Sequence, residues 1–480
     1  MVKDLSQFHG QPELPAIMAR VLPALLDQGE AGRGEDEVFL LAANDGQLLR
    51  FWRGFAETHP EAKQVEERIR VMLKEERTTD PALRLEMHNL SRQLHDQVFE
   101  DVVTALAGHP GWAGCAGCRL LEDGSCPIRR NLAVLSDPRD PGMRARLRGL
   151  IRLAAFNDNH LPIRHVLLLA VNVILGVSGR DTALMRCATA HAMADGEGAA
   201  ANPYDNALGL NLPGGGHGQY RAFTVFADMG LGRETNNAVD GVLVEAQPRA
   251  RYDAMVRSDP VFGEPFDAVR SWYQRGALDD FGEFQRAIER QRRRLFFAMP
   301  RFLATSPGDA DPWFDPWRLT VFSFGGEYLD FAAALTGGKA IDAVRARLVT
   351  GLNRSYTGAM TDEGQQVWFA SPAANTQSRI GRVLDIEVPV GRSRRFACWF
   401  DFDCDAEAAH GRPRMAVRLA DGTVAAGTAV TPLLFEYLLR VEAGSLPGSF
   451  SRQCFEELRQ FRVGADGALR QEAVAVLEGA

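Results

Sequence analysis

The sequence predicts a multi-domain α+β protein: an N-terminal α/β layer, a mainly helical middle and a β-rich C-terminal module. Three observations predict it. Strand-like and helix-like segments alternate up to about residue 110. Helical apolar spacing then dominates 142–155, 161–176, 181–195, 248–300 and 339–354. From 365 to about 430 short alternating runs, β-branched or aromatic, are divided by turn residues. A length of 480 residues allows roughly three domains. With 46% hydrophobic and 24% charged residues, a disordered chain, a collagen-like repeat and a coiled-coil rod are excluded. The 54 Lys+Arg against 62 Asp+Glu give a net charge of −8, which excludes a chain basic throughout but leaves room for a local basic face.

The elements follow in order. Residues 14–27 have helical spacing, with Pro23 expected to kink or restart the helix. EVFLLAAND, 37–45, is a contiguous apolar run closed by an Asn-Asp-Gly turn, the pattern of a buried parallel strand. Residues 46–57 and 62–75 read as helices, the second charged and amphipathic. LRLEMHNL, 83–90, alternates as a short strand, and 91–108 is a helix from an Ser91 N-cap to a Gly108 stop. A cysteine-rich segment fills 112–131, and a Gly/Pro/Asn-rich stretch, 196–218, reads as a loop or boundary. In the β-rich module about five strands are expected, with Asp421-Gly422 as a hairpin turn. PLLFEYLLRVEAG and FSRQCFEELRQFR are expected to close the chain as helices. The N-terminal MVKDLSQFHGQPEL lacks the apolar core of a signal peptide. The longest apolar run, 166–175, is far short of the ~20 residues that cross a bilayer. A cytosolic chain that does not enter membranes is expected.

The residues that could carry chemistry form a short set. Cys115, Cys118 and Cys126 lie in CAGCRLLEDGSC, and seven cysteines in 480 residues make no disulfide framework. A C-x₂-C turn offers two thiolates to a tetrahedral metal, and a third follows. Cys187 and His191, four apart on a helix, are the leading choices for a fourth ligand, with His109 and His160 behind them. Four protein ligands would make a structural zinc. The alternative is three reduced thiols in a tight loop. The basic run around Arg286, Arg290, Arg292, Arg293 and Arg294 could meet a nucleic-acid backbone; the alternative is a solvated helix face. Asp401, Asp403 and Asp405 alternate on a strand and share one face, where they could hold a cation or simply form a polar edge. No G-x-x-x-x-G-K-[ST] occurs, and LPGGGHGQYR, 212–221, has neither the Lys nor the Ser/Thr of a phosphate loop.

Taken in order, VKDLSQ, FLLAANDGQL, LEMHNLSRQL, CAGC with CPIRRNLAVL, LPIRHVLLLAVNVILG, RLVTGLNRSYTGAM and TPLLFEYLLRVEAGSLPGSFSRQC resemble the prokaryotic AAA+/STAND-type P-loop ATPases of antiviral defence, including those of phosphorothioation-dependent restriction. The resemblance spans nearly the whole chain, and the cysteine loop is its most distinctive part. It implies an α/β partial P-loop (AAA+-like) core over 1–110 and a zinc-binding insertion over 111–135. A helical lid over 136–200, a helical region over 201–330 and a β-rich module with C-terminal helices over 331–480 would follow. It implies Asp4 as the Walker B acid, Asn44 as the sensor that positions the attacking water, and Arg164 as the lid arginine on the nucleotide phosphates. Arg92, Arg129 and Arg130 would approach the nucleotide of a neighbouring copy as arginine fingers. Cys115, Cys118, Cys126 and Cys187 would hold the zinc. The chain departs from the family in starting at the Walker B position. ATP and Mg²⁺ would bind only with a Walker A segment supplied from upstream, so the chain reads as a shortened piece or as a partner without its own nucleotide site. Other defence proteins and further copies of the chain are the expected partners. The rival class is a non-enzymatic, zinc-containing adaptor for nucleic acid or a protein.

Overall fold

The computed structural model describes residues 13–26, 39–75, 77–88, 95–159, 161–178, 184–196, 201–213, 218–278, 280–304, 308, 310–357, 360–370, 382–392, 398–404, 411–444, 457–463 and 469–475. The chain divides into two compact units, Met1–Leu90 and Ser91–Ala480. It is α+β and mainly helical, as the sequence predicts. No helix among the described residues is long and apolar enough to cross a membrane.

The first unit holds α1 (Glu13–Leu26), α2 (Asp45–Phe55), α3 (Ala62–Glu75) and the strands β1 (Thr79–Asp80) and β2 (Leu83–Glu86). Met18, Leu22 and Leu25 fall on one face of α1 and meet Trp52 and Phe55 of α2 and Val65 and Ile69 of α3. α1 runs on through Pro23 rather than restarting there. The strand expected over 37–45 is not formed in its described part: 39–44 is irregular, with a single bridging residue at Leu41. The reason lies in Asn44. Its Oδ1 accepts the Gln47 N–H at 2.8 Å, so Asn44 is the N-cap of α2 and Asp45 stands at the positive end of that helix. What reads as a strand followed by a turn is a helix entry. β1 and β2 pair antiparallel. The parallel α/β layer is therefore not present among the described residues of this unit.

The second unit begins with α4 (His95–Ala107), a 3₁₀ turn over Pro110–Cys115, α5 (Arg119–Glu122), α6 (Pro127–Ser136), α7 (Met143–Phe156), α8 (Ile163–Leu175) and α9 (Cys187–Ala194). The Ser91 cap expected for α4 lies outside the described residues, and Gly108 follows the helix as expected. α8 packs on α4 and α6 through Val166, Leu169, Ala170 and Val173. Asn172, the polar residue inside that apolar run, donates to Asn206 O at 2.6 Å and to Asn211 Oδ1 at 2.9 Å. Asn206 in turn donates to Gly176 O at 2.8 Å, and Asn131 to Ile174 O at 3.3 Å. Buried asparagines thus satisfy the carbonyls that the end of α8 leaves open.

The helical body continues with α10 (Pro203–Asn206), α11 (Arg221–Ala227), α12 (Asn237–Glu245), α13 (Arg249–Tyr252), α14 (Phe266–Gln274), α15 (Phe281–Ala298), α16 (Gly325–Thr336) and α17 (Asp342–Thr357). α15 is central to it. Phe284, Ile288, Leu295, Phe296 and Phe297 join one hydrophobic core that runs from Phe99 to Leu439.

The β-rich module agrees with the expected strands: β3 (Gln366–Ala370), β4 (Arg382–Pro389), β5 (Cys398–Cys404), β6 (Pro413–Leu419) and β7 (Val424–Ala429). Asp421-Gly422 makes the predicted turn between β6 and β7: Gly422 has φ +89° and Asp421 Oδ1 accepts the Thr423 N–H at 2.8 Å. α18 (Pro432–Ala443) follows, as expected. The last expected helix is a correction. Glu457–Val463 is a strand, β8, paired with β4 on one side and with β9 (Leu469–Ala475) on the other. Leu458 and Phe461 are three apart and suggest a helix, but two-sided strand pairing overrides local spacing.

Two buried tyrosines give the helical body an alkaline limit. Burial, reinforced by Asp259, pushes Tyr204 up to about 12. Burial and a hydrogen bond to Asp267 do the same for Tyr252, also to about 12. Both lie above the ordinary 10.0, so the folded state keeps protons that the unfolded chain releases. Their contribution is complete below pH ~10 and is lost as pH rises towards ~12. Urea unfolding across that range should show falling stability, and Tyr204→Phe with Tyr252→Phe should flatten the fall; an equally steep fall in the double variant would contradict this.

Candidate functional site

The cysteine loop is built from short elements that each begin or end at a thiol. Cys115 closes the 3₁₀ turn, and the Cys118 N–H donates to Cys115 O at 3.1 Å. Gly117 lies between them at φ +72°, a conformation that a side chain would strain. Cys118 is the N-cap of α5 and Cys126 the N-cap of α6, with Pro127 at its first position, and neither thiol is used in capping. Asp123 is fixed in the connecting turn by the Ser125 N–H and hydroxyl. These hydrogen bonds, ahead of the nearby Arg119 and His191, hold its carboxyl below the usual range.

α9 comes to this loop from more than sixty residues further along the chain. Cys118 Sγ lies 3.7 Å from His191 Nε2, and Arg119 donates to Asp195 at 2.9 Å, so two consecutive residues of the loop hold one face of α9. α9 also packs on α6. Cys187 stands one turn before His191 on the exposed start of α9, while Cys115, Cys118 and Cys126 are half-buried, and all four are free thiols. His109 is otherwise engaged, its Nδ1 accepting the Gly111 N–H at 3.1 Å. His160 lies outside the described residues. Thiols and imidazole are the donors that zinc prefers. In geometry one pair is formed, Cys118 with His191; among the described residues no three His, Cys, Asp or Glu side chains are grouped as a metal ion requires. The donor chemistry fits zinc and the full ligand set is not assembled.

The other candidate residues are spread through the fold. Asp4 and Arg92 lie outside the described residues. Asn44 is committed to its helix cap. Arg164 is exposed on the first turn of α8. Arg129 stacks over the Trp112 ring at 5.1 Å and Arg130 over Phe262 at 5.0 Å, both within their own unit. Burial pulls Arg130 below its ordinary range, against the opposing charge of Asp259, and its Nε has no hydrogen-bond partner among the described residues. Of the acidic strand, Asp401 and Asp403 already face Arg418 of the neighbouring strand, and Asp405 lies outside the described residues.

Arg292, Arg293 and Arg294 of the α15 basic run face inward, which corrects the reading of these three as part of a nucleic-acid surface. Arg292 pairs with Asp240 at 2.8 Å, Arg293 with Asp205 at 2.6 Å and Arg294 with Asp259 at 3.4 Å, all three arginines being buried. Arg286 and Arg290 are exposed and paired with Asp280 and Asp205. Sequence reasoning missed these carboxylate partners, which no local spacing marks. It also passed over Arg221, whose charge acts together with that of Arg164 on His165. Comparison with known protein families, curated proteins and solved structures finds no match.

Proposed function

We propose that the chain is a non-enzymatic adaptor that holds a nucleic-acid or protein partner, with its cysteine loop fastened to α9 by a structural zinc. The observation that supports this reading is the approach of Cys118 Sγ to His191 Nε2 at 3.7 Å, across 73 residues of sequence. Cys118 and His191 would be the first two ligands, with Cys115, Cys126 and Cys187 available for the others. A zinc with four protein ligands has no open position, so its contribution is to stability. With free zinc a hundred- to a thousandfold above its Kd, that contribution is about 3–4 kcal/mol. Cys118→Ser and His191→Ala should each lower the melting temperature of zinc-loaded protein to that of chelator-treated wild type. Cys398→Ser, on β5, should keep the zinc-dependent difference. Melting temperatures that ignore both chelator and Cys118→Ser would remove the metal from the reading.

The order of the resembling segments supports a second reading, the C-terminal portion of an AAA+-like ATPase of a defence or DNA-processing system. Asn44 separates the two. As a helix cap, Asn44→Ala costs about 1 kcal/mol in the first unit and does nothing else. As a water-positioning sensor, the same substitution abolishes ATP hydrolysis by a protein completed with a Walker A segment while leaving Mg-ATP binding intact. The adaptor reading expects the first result, and the second would replace it with the ATPase.

A further inference from the structure

The inward turn of the α15 arginines leaves the surface that holds a partner to be found elsewhere. The sheet β5–β6–β7 offers one. Among the described residues β7 pairs with β6 alone, so its other side is an open edge. The Val430 N–H donates to Pro413 O at 2.8 Å, which makes Pro413 and Val430 a hydrogen-bonded pair of the antiparallel ladder. Such pairs alternate along the strand. Thr428 is therefore bonded to Met415, while Gly427 and Ala429, opposite Ala416 and Arg414, turn their N–H and C=O groups outward. Gly427 and Thr428 are exposed. The register shift between these strands lies further back, beside Val417 and Arg418, and leaves 427–429 in register. β7, VAAGTA, carries neither a charge nor a proline, the usual guards of an open edge.

One charge reaches that edge from the neighbouring strand. Arg414 of β6 stands directly opposite Asp403 of β5, but Asp403 is paired with Arg418. The Arg414 guanidinium lies over Gly427 instead: a Cβ there would be 2.7 Å from its Nε and Nη2. No ion pair or hydrogen bond holds it among the described residues. An open row of main-chain donors and acceptors beside an unpaired cation is the chemistry that takes an extended acidic peptide. The peptide backbone adds a strand, and a carboxylate facing Gly427 meets the guanidinium. Nucleic acid would use the cation and leave the outward N–H and C=O groups unused. A second copy paired two-fold about Gly427 would set two Arg414 guanidinium groups side by side, like charge against like.

We infer that the β7 edge binds an extended acidic segment of a partner protein as a fourth strand, with Gly427 and Ala429 making main-chain hydrogen bonds and Arg414 pairing with a carboxylate. The inference rests on the adaptor reading, whose class of partner it names, and does not depend on zinc.

The test is fluorescence anisotropy of a labelled octapeptide of alternating Thr and Glu, titrated with the full chain. Wild type should bind it, and should bind the same peptide with Lys for Glu about tenfold more weakly or worse. Arg414→Met, which keeps the apolar stem, should weaken binding about tenfold or more. Gly427→Ala should weaken it by displacing the guanidinium, and should add nothing on top of Arg414→Met. Ala429→Pro removes an outward N–H and no bond to β6, and should abolish binding; it carries the test by itself if the other variants fail to fold. Arg286→Ala, on α15, should change nothing. Absence of binding by wild type, a Lys peptide that binds as tightly, or binding that survives either Arg414→Met or Ala429→Pro overturns the inference. So does labelled oligothymidine that binds as tightly and is lost in Arg414→Met, because the occupant is then nucleic acid. A dimer in sedimentation equilibrium that Ala429→Pro dissolves also overturns it, because the occupant is then a second copy. Zinc measured on the same samples keeps the two readings apart: peptide failure with zinc present removes only this edge, and zinc failure with peptide binding intact removes only the metal.

Discussion

Asp240→Ala should destabilise the second unit by about 3–5 kcal/mol, the cost of leaving a buried cation without its partner. Among the described residues Arg292 donates to both Asp240 oxygens, at 2.8 and 3.0 Å, and beyond that only to Gly232 O at 3.4 Å. Its side chain is 10% exposed, so water cannot replace the carboxylate. Asp240 also accepts the Asn236 N–H at 3.1 Å at the entry to α12, and the substitution removes that support too. Replacing both partners by apolar residues of similar size, Arg292→Met with Asp240→Leu, should recover most of the loss, because no charge is then stranded. Arg286→Ala sets the scale: its pair with Asp280 is about two-thirds exposed on both sides and should be worth ~0–1 kcal/mol. Urea unfolding of the four proteins decides. A cost near 1 kcal/mol for Asp240→Ala would mean that Arg292 reaches water, contrary to its burial.

Trp317→Ala should cost about 3–5 kcal/mol. The Trp317 ring is 2% exposed and meets Phe296 edge-on at 5.1 Å. Its bed is made of glycines: a Cβ on Gly325 or Gly326 would stand 2.6 Å from the ring, and one on Gly149 3.2 Å. Glycine has no side chain to move into the vacated space, so the cavity left by alanine stays open. The same geometry predicts a coupling. Gly326→Ala should cost about 1–3 kcal/mol by crowding the ring, and should cost much less once Trp317 is alanine. A double-mutant cycle with no coupling would show that the ring and the glycine do not share this space.

The helices and the β module are legible in the sequence because their apolar periods match their final partners. Val166, Leu169, Ala170 and Val173 mark the buried face of α8, and the Asp421-Gly422 turn marks the β6–β7 hairpin. The misread places are those where a residue answers to something distant or to a competing local role. Asn44 ends an apolar run and so suggests a strand tip, yet its side chain starts a helix. β8 is held by strands on both sides, and β4 comes from a remote part of the chain. The arginines of α15 offered an unused clue. Three consecutive helical residues point about 100° apart, so Arg292, Arg293 and Arg294 cannot share one solvated face. At least one had to turn inward and find a carboxylate. Which carboxylates could not be read, because Asp205, Asp240 and Asp259 lie 88, 52 and 35 residues away. In the cysteine loop, the C-x₂-C spacing and the pairing of Cys187 with His191 on one helix were legible. Their meeting through Cys118 and His191 is a product of the fold.

The zinc content of the full chain, purified without chelator and measured by elemental analysis, tests the central claim most directly. The adaptor reading predicts close to one zinc per chain in wild type and almost none in Cys118→Ser. Less than about half an equivalent in wild type, or the same content in both proteins, would contradict it and leave Cys118 and His191 as an ordinary thiol–imidazole contact between a loop and a helix.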